Sequence, residues 1–146
     1  MSAILTRSAG ELAKVVHAAL AVNAHMQLIL GDPPRLYDSA PVDPVFPYLT
    51  YGPMRSVDIG GDGTELVSHQ MSLHVWSRYQ GRAEVFGSLN YIADALTAEA
   101  LNTNAELVIV NVNPIYVDVL RAPDGRTMHG LLRMSFSTQT IQQEAL

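Results

Sequence analysis

The feature that most constrains the fold is a strict alternation of side chains over residues 67–76. Apolar residues and one histidine fall on one side of the extended chain: Val67, His69, Met71, Leu73 and Val75. Polar residues and one tryptophan fall on the other side: Ser68, Gln70, Ser72, His74 and Trp76. Since successive side chains of a strand point to opposite faces, this segment predicts a strand that is buried on one face only.

Helical periodicity precedes and follows this strand. A first helix is predicted from about residue 8 to 22, because Ser8 and Glu11 have the spacing of a capping box. Asn23 is expected to cap a short second helix that ends at Gly31. A further helix is predicted from about 82 to 100. Its buried stripe is expected to contain Phe86, Leu89, Ile92, Ala93, Leu96 and Ala100.

Other strands are predicted on both sides of the alternating one. Tyr48–Tyr51 forms a short strand, and residues 54–59 are a candidate for another. Residues 107–120 form a long one, in which Pro114 marks a bulge, a bend or an edge position. The turn Ala122–Gly125 joins it to a last strand and predicts a hairpin. That last strand has one apolar side, made of Leu132, Met134, Phe136 and Thr138.

The order of these elements lacks the repeated strand–helix–strand units of a parallel sheet. It favours an α+β fold with an antiparallel or mixed sheet and helices packed on one face. No linker or repeat divides residues 1–146, so one domain is expected. The other face of the sheet is polar but carries few charges, so that solvent or another subunit could cover it.

Composition narrows the functional class. The chain has a net charge of −5 and no cysteine, and only 16% of its residues are charged. The acidic balance disfavours tight nucleic-acid binding, and the low charged fraction hints at an oligomer. Disulfides and cysteine-based sites are excluded. The sequence shows neither a signal peptide nor a membrane span, so a soluble protein made inside the cell is expected.

Motifs that carry catalysis or metal binding are missing. The five histidines show no metal-ligand spacing, and no nucleophile elbow occurs. The Gly60–Gly63 segment lacks the lysine of a phosphate loop and the acidic pattern of a calcium loop. We therefore expect no catalytic residue, no metal and no cofactor, and a protein that is not an enzyme.

Three segments are instead candidates for contacts with other proteins. The first is the glycine-rich turn with its preceding acid: Asp58, Gly60, Gly61, Asp62 and Gly63. The second is the aromatic and basic cluster of Trp76, Arg78 and Tyr79, which either binds a partner or only packs over the sheet edge. The third is the turn at Pro123 and Asp124. An ordinary surface turn is the alternative for the glycine-rich segment.

Short sequence pieces, spread in order over nearly the whole chain, carry a family resemblance. They are Leu30-Gly31, Arg35-Leu36-Tyr37-Asp38, Pro47-Tyr48-Leu49-Thr50-Tyr51-Gly52, His74-Val75-Trp76-Ser77, Ile92-Ala93-Asp94-Ala95-Leu96 and Met134-Ser135-Phe136-Ser137-Thr138. With these pieces the chain resembles the DUF3168 family of phage tail completion and tail terminator proteins, in particular those of gene transfer agents. None of these residues is catalytic in that family.

The resemblance implies a structural protein at the neck of a phage tail or gene transfer agent particle, made in the host cytoplasm. It implies a hexameric ring that caps the head-proximal end of the tail tube. Its partners would be further copies of itself, the major tail tube protein and a neck or head-connector protein. DNA would pass through the ring without specific binding, and no membrane is involved. The alternatives are a neck or head-completion protein and, from a different class, a small ligand-binding module or enzyme.

Overall fold

The computed structural model describes residues 2–61, 65–103 and 106–140, and its helices and strands follow the predicted order apart from an additional short strand at Leu36–Tyr37. Two helices come first, α1 (Ser2–Val22) and α2 (Ala24–Leu30). Three strands follow: β1 (Leu36–Tyr37), β2 (Tyr48–Asp58) and β3 (Leu66–Ser77). Two more helices, α3 (Ala83–Ala95) and α4 (Ala98–Leu101), precede the strands β4 (Leu107–Arg121) and β5 (Met128–Thr140).

The strands form one five-stranded sheet in the order β1-β2-β3-β5-β4. The short β1 runs parallel to β2, and every other neighbouring pair is antiparallel, so the sheet is mixed. The predicted hairpin is the β4–β5 pair, which places the long β4 at one edge of the sheet and β1 at the other. The predicted α+β class is confirmed.

One face of the sheet is covered by helices and holds the core. Every residue on the predicted apolar side of β3, His69 included, is buried. Leu12, Val16 and Leu20 of α1 pack in the same core as Leu89 and Ile92 of α3. The opposite face, here called the open face, carries residues of β3 and β5 that are mostly half-buried, such as Trp76 and His129. The alternation therefore identified the covered face correctly.

The start of α1 was predicted wrongly. The helix begins at Ser2, and Ser8 lies inside it, where its hydroxyl donates to the carbonyl of Leu5 at 3.1 Å. Ser8 is buried on the core-facing side of α1, six residues after the start of the helix, so it cannot be the N-cap. The second cap is confirmed, because the Asn23 side chain accepts the N–H groups of His25 and Met26. Gly31 ends α2 with a φ of 94°, which favours glycine.

The single helix predicted for residues 82–100 is two helices. Thr97 interrupts it and caps α4 by accepting the N–H of Ala100 at 3.1 Å. Two residues of the predicted stripe are exposed: Phe86, at 47%, and Ala100. Val85 faces the sheet instead, because Gly130 of β5 has no side chain there: a Cβ on Gly130 would lie 2.4 Å from Val85 Cγ1. Leu89, Ile92 and Leu96 are buried as predicted.

The strands differ from expectation mainly in β2. The two short strands predicted there are one strand, with a register shift between Tyr51 and Met54. Pro114 lies at a register shift of the edge strand β4, as predicted. Among the described residues no single helix is long and apolar enough to span a membrane; α1 and α2 reach that standard only together, across a bend of 74°.

Candidate functional site

The first group of predicted contact residues lies where β2 turns into β3. Asp58 ends β2, and its side chain accepts the N–H of Gly60 at 2.9 Å, which fixes the start of the turn. Gly61 follows, whereas Asp62 and Gly63 lie outside the described residues. Val57 and Ile59 beside them are about half exposed. The base of this turn is therefore ordered by a local hydrogen bond and carries exposed apolar side chains.

The second group lies at the ends of β3 and β4, where the structure brings Arg78 and Asp124 together. Their charged groups are 3.8 Å apart, and Arg78 also lies over the ring of Phe46. Asp124 closes the β4–β5 turn after Pro123 by accepting the Thr127 hydroxyl and the N–H groups of Arg126 and Thr127. These hydrogen bonds lower the pKa of Asp124 to about 2. Tyr79 is 55% exposed.

These two groups are at opposite ends of the sheet. The strand β3 connects them, with Leu66 near the first group and Ser77 near the second. A strand of twelve residues spans about 36 Å, so the two groups are far beyond contact distance of each other. The predicted residues therefore do not form one site but two separated surfaces.

A stack of aromatic rings covers the part of the open face near Ser77, where β3 ends. The centroids of the Trp76 and His129 rings are 3.9 Å apart, with an interplanar angle of 9°. The Tyr48 ring, on the neighbouring strand β2, stacks on Trp76 at a centroid distance of 6.3 Å. The Trp76 ring N–H donates to Thr50 at 3.0 Å. A hydrogen bond of 2.7 Å joins His74 to His129. Trp76 is therefore held against the sheet by its neighbours and is half-buried.

His129, His74 and Tyr48 were missed as part of this surface. The alternation alone places His74 and Trp76 on one face, but His129 is 53 positions away from Trp76 and becomes its cross-strand neighbour only through the β3–β5 register. Burial lowers the pKa of both His74 and His129, and the neighbouring imidazole lowers that of His129 further. The charge of Asp118 acts in the opposite direction on His129.

His69 lies on the covered face and acts as a structural residue. Its ring nitrogens lie 2.7 Å from the Ser56 hydroxyl and 2.8 Å from that of Thr138, which satisfies both of them inside the core. Burial lowers the pKa of His69 to about 4. Among residues 2–61, 65–103 and 106–140 no three histidine or acidic side chains are grouped to hold a metal ion.

A groove of about 410 Å³ lies between α1 and the bulged part of β2. Leu36, Met54 and Met71 give it an apolar floor, and His17 and Tyr51 meet at its rim with a hydrogen bond of 2.9 Å. Burial, and to a lesser extent the charge of Asp38, raises the pKa of the Tyr51 hydroxyl. Apolar walls with a few converging polar groups are typical of small-molecule sites.

Comparison with known proteins identifies the family. The family model of tail completion protein gp17 matches residues 14–139, which is most of the chain. The chain belongs to the tail completion protein gp17 family. The resemblance to phage tail completion proteins is thus confirmed, and a structural role in a phage-type tail follows from it.

The fold of this tail completion protein recurs in a solved structure. A chain in the virion of a native gene transfer agent particle is 19% identical, with a TM-score of 0.70, over 85% of this chain and 91% of that chain. At this level of identity the likeness establishes a shared fold. The curated proteins contain no sequence that matches this chain.

Proposed function

We propose that the chain is a tail terminator, a ring-forming structural protein that caps the head-proximal end of a tail tube and joins it to the neck. The single observation that carries this proposal is the family match over residues 14–139. The fold shared with a gene transfer agent virion protein supports a place in such a particle. The ring of six subunits, and synthesis in the host cytoplasm, rest on the resemblance stated above.

The two separated surfaces suit a ring that must contact different neighbours on its two faces. A tail tube grows because each ring presents the surface that the next ring needs. A terminator must match that surface on one side and differ from it on the other. We assign one ring face to the turn at Asp58 and Gly60, and the other to Trp76, Arg78, Tyr79, Pro123 and Asp124. These groups lie at opposite ends of β3.

The β2–β3 turn is the part that we expect to bind an adjacent ring. Three glycines make residues 57–66 costly to order in isolation. A partner that supplies the ordering contacts offsets this cost, so the turn is suited to bind such a partner. The exposed Val57 and Ile59 at its base provide apolar area for such a contact. Shortening the turn to two residues should leave the fold intact and prevent the joining of heads to tails. Full particle yield with the shortened turn would contradict this assignment.

The negative net charge of the chain suits a ring through which DNA passes. At −5 per chain, six copies give a ring of about −30. A ring with this charge gives phosphates no general electrostatic attraction, so DNA passes without sticking. No catalytic step is needed for any part of this role, and we propose that the protein is not an enzyme.

Deletion of the gene in a producing strain tests the proposal. A terminator predicts overlong tails without heads, seen by negative-stain electron microscopy, and complementation should restore normal tail length. Tails of normal length that fail to join heads would instead identify a neck or head-completion protein. Normal, complete particles would contradict a structural role in the tail.

The groove between α1 and β2 favours a second candidate, a ligand-binding module. A bulky residue in its apolar floor, Met54→Trp, should then abolish binding of small apolar acids or amines measured by calorimetry. Under the terminator proposal the same variant should complement the deletion strain fully. A variant that folds but does not complement would favour the ligand-binding role.

A further inference from the structure

The open face of the sheet holds a cleft that lies outside the surfaces discussed so far. Its volume is about 480 Å³, and its lining residues come from β2, β3 and β5: Pro53, Met54, Arg55, Gln70, Ser72 and Arg133. It is here called the arginine cleft. Two guanidinium groups line it together with an amide and a hydroxyl, and no carboxylate of a described residue is among the lining groups. The arginine cleft therefore has the donor groups of an anion site.

An irregularity of β2 forms one wall of the cleft. Gly52 and Pro53 lie opposite Ser72 alone, because the register of β2 and β3 shifts by one residue between Tyr51 and Met54. Such a bulge bends its strand, and bulges are over-represented next to functional sites. Gly52 also leaves this part of the face low, since a Cβ there would lie 3.1 Å from the Cβ of Ser72. The depression is therefore produced by the backbone of the sheet.

Arg133 is held in position by its two cross-strand neighbours, Ser72 of β3 and Tyr116 of β4. Its guanidinium carbon lies 5.1 Å from the centre of the Tyr116 ring, and its Nε donates to the Ser72 hydroxyl in a long hydrogen bond of 3.5 Å. The other two guanidinium nitrogens donate to no described residue. Because this half-buried side chain is already positioned, it loses little conformational freedom when its free nitrogens bind an oxyanion.

Arg55 supplies a second positive charge from the other side of the cleft. It pairs with Gln70 of β3, and Gln70 pairs with Ser135 of β5, two residues after Arg133. The two arginines therefore lie on either side of β3, with their backbones about 10 Å apart across two strand spacings. Arg55 is exposed and forms neither a hydrogen bond nor an ion pair with a described residue. Both side chains can thus reach one ligand above β3.

The charges of the whole open face favour a negatively charged ligand. By register, the described strands place Arg55, Arg133 and one acid, Asp118, on this face. Asp118 lies diagonally from both Arg133 and His129, and it forms no ion pair with either. Asp38 lines the groove beside α1, on the covered side of β2. The open face therefore has a net charge of +1, in a chain whose net charge is −5.

We propose that the arginine cleft binds a phosphate group. The source of this group is either inorganic phosphate or the backbone of a nucleic acid, and both present the same chemistry. A carboxylate is planar, so a single guanidinium fork satisfies it. A phosphate is tetrahedral, and its oxygens can accept from Arg55 on one side and Arg133 on the other, with the Gln70 amide between them. Two guanidinium groups on opposite sides therefore favour phosphate over a carboxylate.

The phosphate site does not require a ring, but a nucleic-acid source of the phosphate rests on the proposed function. The strands run between the two ends that we assign to the ring faces, so one face of each sheet can border the passage. A backbone phosphate in the cleft would identify the open face as that border. Tight DNA binding depends on several phosphate contacts per protein. One cleft per chain provides few of them, so DNA can still pass through the ring.

Titration of the purified chain with inorganic phosphate, followed by ¹H–¹⁵N NMR, tests the site. The side-chain Nε–H signals of Arg55 and Arg133 should shift and saturate, whereas that of Arg7, an exposed arginine of α1, should not. Arg55→Gln and Arg133→Gln, each shown to be folded by circular dichroism, should each weaken phosphate binding about tenfold because charged hydrogen bonds are lost. Arg7→Gln is the control with the same change in net charge, and it should bind phosphate like the unmodified chain.

Sodium acetate and a duplex DNA oligonucleotide separate the ligand classes and the sources. Acetate that binds as tightly as phosphate overturns the proposal, and so does the absence of saturable shifts or an equal loss in Arg7→Gln. Duplex binding that both cleft substitutions weaken supports the site with a backbone phosphate as its source. Phosphate binding without duplex binding supports it with free phosphate as the source. A deletion strain that makes normal particles overturns only the terminator proposal, because the titration uses the chain alone.

Discussion

Among the residues that the structure describes, His69 is the one titratable side chain that is fully enclosed in the core, and its hydrogen bonds explain why it is tolerated there. A buried imidazole is stable when both nitrogens are satisfied, which Ser56 and Thr138 achieve from the two neighbouring strands. The sequence pattern places His69 on the apolar side but cannot show its partners. Thr138 is 69 residues away and becomes a neighbour only through the pairing of β3 with β5.

The burial of His69 makes the free energy of unfolding depend on pH. The pKa of His69 is about 4 in the folded chain and about 6.5 in the unfolded chain, so the unfolded state binds the extra proton first as the pH falls. The stabilisation is complete above pH 6.5 and is lost between pH 6.5 and 4. At pH 5 the loss is about 2 kcal/mol. Urea unfolding at pH 7.5 and 5 should show it, and His69→Gln should reduce the loss by that amount. An equal loss in both proteins would contradict the assignment.

Phe86 gives a second prediction at the scale of single residues. Because its ring is about half exposed, Phe86→Ala should lower the free energy of unfolding by about 1 kcal/mol or less. Ile92 lies in the same helix and is fully buried, so Ile92→Ala should cost about 2–5 kcal/mol. Thermal and urea unfolding measure both. Comparable losses would mean that α3 packs through the stripe that the sequence pattern predicts.

At the scale of elements, the sequence predicted caps and turns correctly where all the residues that determine them lie in one short segment. The Asn23 cap, the Gly31 stop and the Ala122–Gly125 turn each contain all the residues that determine them, and each was predicted correctly. The rotation of α3, which turns Val85 and not Phe86 toward the sheet, was not predicted. It depends on Gly130, which lies in a strand much later in the chain. The continuity of β2 across Gly52 and Pro53 depends likewise on its pairing with β3.

Gly87, which lies in α3, and Gly130, which lies under it in β5, should respond oppositely to the same change. Gly87→Ala adds a methyl group in open space on a helix and should stabilise the fold by about 0.5–1 kcal/mol. Gly130→Ala places a Cβ 2.4 Å from Val85 and should destabilise it by about 1–3 kcal/mol. Differential scanning calorimetry measures both shifts. A stabilising Gly130→Ala would show that the helix is not seated on β5 at this point.

At the scale of the whole molecule, the fold class and the turns at the ends of the sheet could be predicted from the sequence, whereas the grooves and the ring stack of the surface could not. Turns are visible locally through glycine and proline, so Gly60 and Pro123 were located. A groove between α2 and α3, with Leu28 and Tyr91 in its walls, requires the packing of two helices that are separated by three strands. The ring stack on the open face requires strand register. Such surfaces arise from tertiary contacts that no local pattern contains.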